Sequence, residues 1–279
     1  MSPFITTVVI ILIIGVIVFL GWWLIIESEG VYLGRRVVIW LYDLFAKRYD
    51  QVKQFHPEYD HLFLSQPIMQ KIAPIKSPLV LDVATGTGRL PLALVRHSHF
   101  QGRVWGADLS LPMLEQALEK FDTKDHVAWL NIPAEKLPFP DNTFDVVTCL
   151  EALEFMRNAP QVLNEMVRVL RPGGLLLVSN RIHTRWMPGK TWADDALVNH
   201  LRKAGIGTVE IESWQVDYDR VWGEKRGTSL PQLARPLLEV LQCPVCHNTD
   251  WDTNHAEKIV CNTCQKRYAV HSERIYLLG

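Results

Sequence analysis

Residues 79–92 read LVLDVATGTGRLPL. Leu79, Val80 and Leu81 lead into the carboxylate Asp82. The small residues Ala84-Thr85-Gly86-Thr87-Gly88 follow, and a helical pattern opens at Arg89. This order predicts a buried strand turning sharply into a helix, with glycines where the backbone bends or where a ligand comes close. The free N–H groups at the start of that helix would face whatever sits over the loop. A glycine turn by itself also suits any tight strand–helix connection, so the flanking segments must decide.

Downstream, strands and helices alternate, which implies a parallel sheet covered by helices. Strands are expected over 79–83, 103–108, 127–131, 144–150, 175–179, 208–214 and 217–224. Helices are expected over 89–97, 111–120, 159–170 and 193–203, with Ser110 as a cap. The fold class is therefore α/β: a Rossmann-like, doubly wound, seven-stranded sheet. Ligands of such sheets bind beyond the carboxyl ends of the strands, where the topology switches. Asp108 ends the second strand about 20 positions after the glycine turn, where a carboxylate can accept both hydroxyls of a ribose.

The chain has 279 residues, of which 48% are hydrophobic, and a formal charge of −1. That is room for one large domain and a small appendage, without the basic excess that nucleic-acid binding usually brings. Residues 5–26 contain no charged side chain and are mostly Ile, Val and Leu, enough to cross a bilayer core of about 30 Å as a helix. No Lys or Arg precedes this run and no small-x-small cleavage pattern follows, so a membrane anchor is favoured over a cleaved signal. Trp22 and Trp23 stand where aromatic belts lie, and Arg35, Arg36, Lys47 and Arg48 follow the span. The positive-inside rule then predicts a single-pass protein whose C-terminal bulk faces the cytoplasm. Residues 27–56 read as a juxtamembrane helix, its later half packed on the soluble domain.

Five stretches, LVLDVATGTGR, VWGADLS, PAEKLPFPDNTFDVVTCL, EALEFM and VLRPGGLLLVSN, resemble class I S-adenosylmethionine-dependent methyltransferases in order and spacing. The branch they resemble most contains the ubiquinone and menaquinone methyltransferases, and the likeness covers about residues 42–226. The resemblance implies the following roles. Asp82 would orient the methionine amino group, and Ala84, Thr85, Gly86 and Gly88 would form the loop against the methionine moiety. Asp108 would bind the ribose, Leu109 would flank the adenine, and the Ala134–Glu135 backbone would meet the adenine edge. Leu150 and Glu151 would face the methionine end and the acceptor. Two positions depart from the family pattern: Ala84 replaces the first glycine, and Pro133 replaces an acidic residue.

Methyl transfer from a sulfonium is an in-line displacement that positioning can largely accelerate, with a general base only if the acceptor holds a proton. Glu151 is the leading candidate, followed by Glu154, Asn180, His183 and Tyr49. Cys149-Leu150-Glu151-Ala152 stands where amide and exocyclic-amine methyltransferases carry an Asn/Asp-Pro-Pro-aromatic motif. Nucleobase amines and glutamine side chains are therefore disfavoured as acceptors.

Residues 227–236 read as a linker. Beyond it, Cys243-x-x-Cys246 and Cys261-x-x-Cys264, fourteen residues apart, have the spacing of a structural four-thiolate zinc site. Residues 237–279 resemble a small zinc-ribbon family that activates methyltransferases as a separate subunit; here it would be fused in cis or recruit a protein partner, with Ala269 and Glu273 as departures from its tail. The expected protein is a membrane-anchored methyltransferase using S-adenosylmethionine on a lipid-like or membrane-associated acceptor. The rivals are a non-catalytic cofactor-binding scaffold and a protein or RNA methyltransferase. The expected domains are 5–26 (anchor), 27–56 (juxtamembrane), 57–226 (methyltransferase), 227–236 (linker) and 237–279 (ribbon).

Overall fold

Helix α1 (Pro3–Trp22) is extended by a π turn over Trp23–Glu27. No side chain of α1 is buried against the remaining described residues, and Pro3–Glu27 is long and apolar enough to cross a membrane. The computed structural model describes residues 3–121, 126–182, 187, 190–272 and 274–278.

The helix expected after the span is broken into pieces. Gly34, at φ 97°, turns the chain into α2 (Arg35–Phe45); a 3-10 turn at Ala46–Arg48 and the short α3 (Tyr49–Lys53) follow. Helix α2 is apolar on two faces: Val38 and Leu41 are buried on the domain, whereas Trp40, Leu44 and Phe45 remain exposed. Helices α4 (Pro57–Asp60) and α5 (Gln66–Lys71), joined by a π turn, then lead to the sheet.

Strand β1 (Leu79–Val83) is buried at every residue because parallel neighbours flank it on both sides, β2 (Arg103–Asp108) and β4 (Phe144–Cys149). With β3 (Val127–Asn131), β5 (Leu170–Arg181), β6 (Ile206–Ser213) and β7 (Tyr218–Lys225), the order β6-β7-β5-β4-β1-β2-β3 places the topological switch between β1 and β4. Strand β7 runs antiparallel to both of its neighbours. Helices α6 (Arg89–Val95), α7 (Leu111–Leu118), α8 (Ala159–Val169) and α9 (Asp194–Ala204) fill the connections. Ser110 caps α7, accepting the Met113 N–H at 3.3 Å. A Cβ at Gly106 would lie 2.5 Å from the Trp129 ring, so glycine in β2 lets that indole lie across the sheet.

Strand β5 is longer than the sequence predicts. Arg171-Pro172-Gly173-Gly174 makes no separate turn; it forms an irregularity inside the strand, where pairing shifts from Phe144↔Leu170 to Val146↔Leu175. The reason is a buried ion pair, Arg171 Nε to Asp145 Oδ1 at 2.5 Å. The Asp145 carboxylate also accepts the N–H groups of Leu79 at 2.8 Å and Gln232 at 3.1 Å. It thus ties β1, β4, β5 and the segment leading to the ribbon at one end of the sheet.

The seven-stranded expectation is corrected: among the described residues the sheet has eleven strands. After α10 (Leu237–Val240), strands β8 (Trp251–Asp252), β9 (Lys258–Cys261), β10 (Arg267–His271) and β11 (Ile275–Leu277) form an antiparallel ribbon. Strand β11 pairs in parallel with β3, Ile275↔Trp129 through Leu277↔Asn131. An uncovered parallel edge leaves a row of unpaired backbone groups, and the ribbon removes that edge. Leu237, Val240, Ile259, Tyr268 and Val270 join the core around Trp105, whose indole N–H donates to the Leu237 carbonyl at 3.0 Å.

Asp145→Ala leaves the buried Arg171 guanidinium without its counter-ion, at a cost of about 3–5 kcal/mol. The thermal midpoint in detergent should fall by on the order of 10 °C, measured by circular dichroism.

Candidate functional site

At the switch between β1 and β4 the chain leaves both strands by a left-handed residue: Ala84 at φ 55° and Glu151 at φ 52°. Such conformations are uncommon outside glycine, and here both sit at the carboxyl ends of adjacent strands. They turn the loops away from a cleft lined by Ala84, Gly86, Asp108, Leu109, Ala134, Glu135, Leu150 and Glu151, all of them expected at a cofactor site. The cleft measures about 140 Å³.

The glycines differ in what they face. Nothing lies within 4 Å of where a Cβ on Gly86 would stand, so its open face lines the cleft. A Cβ on Gly88 would lie 2.8 Å from Trp129 and 3.1 Å from Ala117, and φ is +78°. Gly88 therefore serves core packing at the start of α6, where the sequence suggested ligand approach.

Asp108 holds the loop and borders the cleft together. Its Oδ2 accepts the Gly86 N–H at 2.8 Å and its Oδ1 the Ser110 N–H at 2.9 Å. Each oxygen keeps a second lone pair for a ligand hydroxyl. Burial raises its pKa, partly offset by those N–H bonds. Asp82 lies deeper, in the smaller recess beside Thr85 and Leu150. Thr148 Oγ1 donates to its Oδ1 and Thr85 Oγ1 to its Oδ2, both at 2.6 Å. Burial nevertheless pushes its pKa up to about 6.

The segment over the cleft adds groups that, Tyr49 apart, carried no recognisable sequence signal. Arg35 reaches across the cleft mouth to Glu135 with two contacts of 3.2 Å. Asp43 accepts from Ser110 Oγ at 2.5 Å, and Asp50 pairs with Thr87 and Lys120. The α2–α3 segment is thus bonded over the loops. Tyr42 and Tyr49 form the wall next to the end of the N-terminal apolar helix; burial raises both phenol pKa values well above the ordinary range.

Glu151 accepts from Arg89 Nη1 at 2.7 Å and from Gln215 Nε2 at 3.0 Å, both on Oε1. Its Oε2 faces Lys53 Nζ at 4.0 Å. Arg89 also pairs with Asp60 at 2.7 Å and lies over the Phe55 ring at 4.2 Å. Glu154 does not line the cleft; it is buried against Tyr218 and Arg181, and burial raises its pKa. Asn180 braces α9 through the Trp192 carbonyl and Asp194. His183 lies outside the described residues.

A second cluster stands in the ribbon. The sulfurs of Cys243, Cys246, Cys261 and Cys264 all lie within 4.8 Å of one another. Thiolates about 2.3 Å from a tetrahedral ion would have similar spacing. The two knuckles repeat one backbone turn: His247 N–H donates to Cys243 O and Gln265 N–H to Cys261 O, each at 2.9 Å, and both residues have φ 59°. The four residues can hold one metal ion with no position left for a substrate.

Residues 81–178 match the family described as a methyltransferase domain, which places that domain over β1 to β5. The chain is 37% identical over 134 residues to the ubiquinone/menaquinone biosynthesis C-methyltransferase UbiE of Desulfotalea psychrophila, covering 48% of this chain and 54% of that protein. It is 37% identical over 141 residues to the demethylmenaquinone methyltransferase of Lactiplantibacillus plantarum, covering 49% and 59%. The chain thus spans little more than half the length of these curated relatives. Its fold is similar to that of a chain in the complex between the Haloferax volcanii Trm112 methyltransferase activator and a methyltransferase. The TM-score is 0.57 at 20% identity, covering 68% of this chain and 97% of that one.

The raised Asp82 pKa fixes the sign of a pH effect. The folded chain holds this proton more tightly than the unfolded chain, whose aspartate titrates near ~3.9. The contribution to stability is complete below about pH 4 and is lost as pH rises through about 6. Thermal midpoints of wild type and Asp82→Asn, both without ligand, should therefore diverge between about pH 4 and about pH 6 (the window set by these pKa values), the wild type losing relative stability as pH rises.

Proposed function

We propose that this chain, with its methyltransferase domain over β1 to β5, transfers a methyl group from S-adenosylmethionine to a lipid-like acceptor at the cytoplasmic face of a membrane. The observation that carries the reading is the cleft itself: Asp108 and the open face of Gly86 at the strand switch, continuous with Glu151 and Tyr49 on the side of the anchor. The residues present fit the cofactor. Asp108 would take the ribose hydroxyls, the Gly86 backbone would lie against the methionine part, Ala134 and Glu135 would meet the adenine, and Asp82 would act on the amino group through the loop. Bound S-adenosylmethionine supplies an electrophilic methyl on a sulfonium.

The enclosed space is small beside the ~300–1,000 Å³ of ordinary ligand sites. Arg35–Glu135, across its mouth, is a partly exposed ion pair, worth little by itself. On the acceptor side, Oε1 of Glu151 is engaged by Arg89 and Gln215, so Oε2 is the atom left to take a proton. The relatives, a ubiquinone/menaquinone biosynthesis C-methyltransferase and a demethylmenaquinone methyltransferase, favour a hydroxylated aromatic ring as acceptor. Pro3–Glu27 would be the anchor, with Arg35, Arg36, Lys47 and Arg48 keeping the domain cytoplasmic. The four cysteines would hold structural zinc. The ribbon would then act as an activator in cis, because it closes the β3 edge beside Asp108.

Calorimetric titration of the full chain in nanodiscs with S-adenosylmethionine and its demethylated product tests the cofactor. Micromolar binding, weakened at least tenfold (on the order of 1.4 kcal/mol) by Asp108→Ala, is expected. No binding by folded protein would remove the enzyme reading. Chelation should raise hydrogen exchange along Val127–Asn131, since folding of so small a ribbon depends on its metal. Unchanged protection of β3 after proven metal removal would deny the ribbon its supporting role.

A further inference from the structure

Beyond the cofactor cleft, on the other side of Tyr42 and Tyr49, lies a second cleft of about 350 Å³. Its walls are Ile25 and Ile26 from the last turn of the spanning helix, Leu41 and Phe45 from α2, and Val52 from α3. Ile26, Phe45 and Val52 are 58%, 46% and 67% exposed, an apolar surface that water alone would disfavour. The polar groups of this cleft pair with one another on its Tyr42 side, and Lys53 among them reaches a residue of the other cleft. Tyr42 Oη donates to Glu29 at 2.7 Å, and Lys53 lies 3.7 Å from Glu29 and 4.0 Å from Glu151.

The geometry points to this second cleft as the binding site for the apolar tail of the methyl acceptor, with Tyr42 and Tyr49 as the wall between tail and reacting ring. This inference rests on the lipid-like acceptor proposed above. The occupant follows from what each end of the cleft adjoins. One end is built by Ile25 and Ile26, where the membrane-spanning helix finishes, so a molecule dissolved in the bilayer reaches it without crossing water. The other end shares Tyr42 and Tyr49 with the cofactor cleft. A molecule filling both places has a polar aromatic head near Glu151 and a hydrocarbon tail leading back to the bilayer. The volume lies at the low end for small-molecule sites and suits a tail of a few isoprene units. The anchor thereby forms part of the substrate site, in addition to holding the domain at the membrane.

The test uses the full chain in phosphatidylcholine nanodiscs and a naphthoquinone carrying a two-isoprene tail that ends in an alkyl diazirine. After photolysis, adducts are mapped by mass spectrometry. Adducts on Ile25, Leu41, Phe45 or Val52, reduced at least tenfold by excess unlabelled tailed quinone but not by tailless naphthoquinone, are expected. Phe45→Arg with Val52→Arg, both at exposed positions, should abolish these adducts while cofactor affinity and the melting curve are kept. Labelling confined to α1 and not reduced by competitor, or unchanged in the double variant, overturns the proposal. Saturable labelling of the cleft without methyl transfer to any quinol leaves the tail site standing and removes only the quinol reading. Transfer that is indifferent to tail length and to the double variant does the reverse.

Discussion

A parallel sheet leaves every edge strand with a row of backbone donors and acceptors that need partners, and in this chain the partner for β3 comes from the far end of the sequence. Pairing of Ile275–Leu277 with Trp129–Asn131 joins two segments that could otherwise behave as separate domains. It also brings the ribbon's apolar face onto Trp105 and Phe139. Because β3 lies directly beside β2, whatever steadies β3 steadies the loop that carries Asp108. Asn131 makes the link explicit, donating to the carbonyls of Asp108 at 3.2 Å and Leu109 at 3.0 Å. The paired-cysteine knuckles lie outside the cleft, yet the ribbon they belong to supports the strand next to the one that forms it.

The N-terminal segment has the complementary place. The sheet provides the floor and the carboxylates; α2 and α3, which follow the N-terminal apolar helix, provide a roof. The roof is held by charged and hydroxyl contacts at its rim: Arg35 with Glu135, Asp43 with Ser110, Asp50 with Thr87 and Lys120. Deeper contacts, Arg89 between Asp60 and Glu151, are more buried and hold Glu151 in place at the cleft.

Reading glycines shows where sequence reasoning is strong and where it stops. Gly86 and Gly88 are equivalent as letters in a glycine turn, but one is open to the cleft and the other is filled by Trp129 and Ala117. No local rule separates them, since the indole arrives from a strand about forty residues later. Arg35, Tyr42 and Lys53 are likewise invisible as site residues in sequence. They lie in a segment whose helical pattern is satisfied equally by a membrane surface or by packing on the domain. Only the hundred-residue separation of Arg35 and Glu135, closed to 3.2 Å, shows that the segment covers the cleft.

What the sequence determined by itself is what local pattern and spacing carry. These are the strand–loop–helix at 79–92, the carboxylate ending β2, the alternation that makes the sheet parallel, the uncharged run at the N-terminus, and the paired cysteines. Each follows from side-chain period or from chemistry repeated within a few residues. The tertiary structure alone decided that seven strands become eleven, that Gly88 packs a core, that α2 roofs the cleft at the strand switch, and that the end of the N-terminal apolar helix borders a second cleft. Those outcomes depend on contacts between residues distant in the chain, formed where unpaired backbone edges and uncovered apolar faces must be closed, and no window of sequence contains both partners.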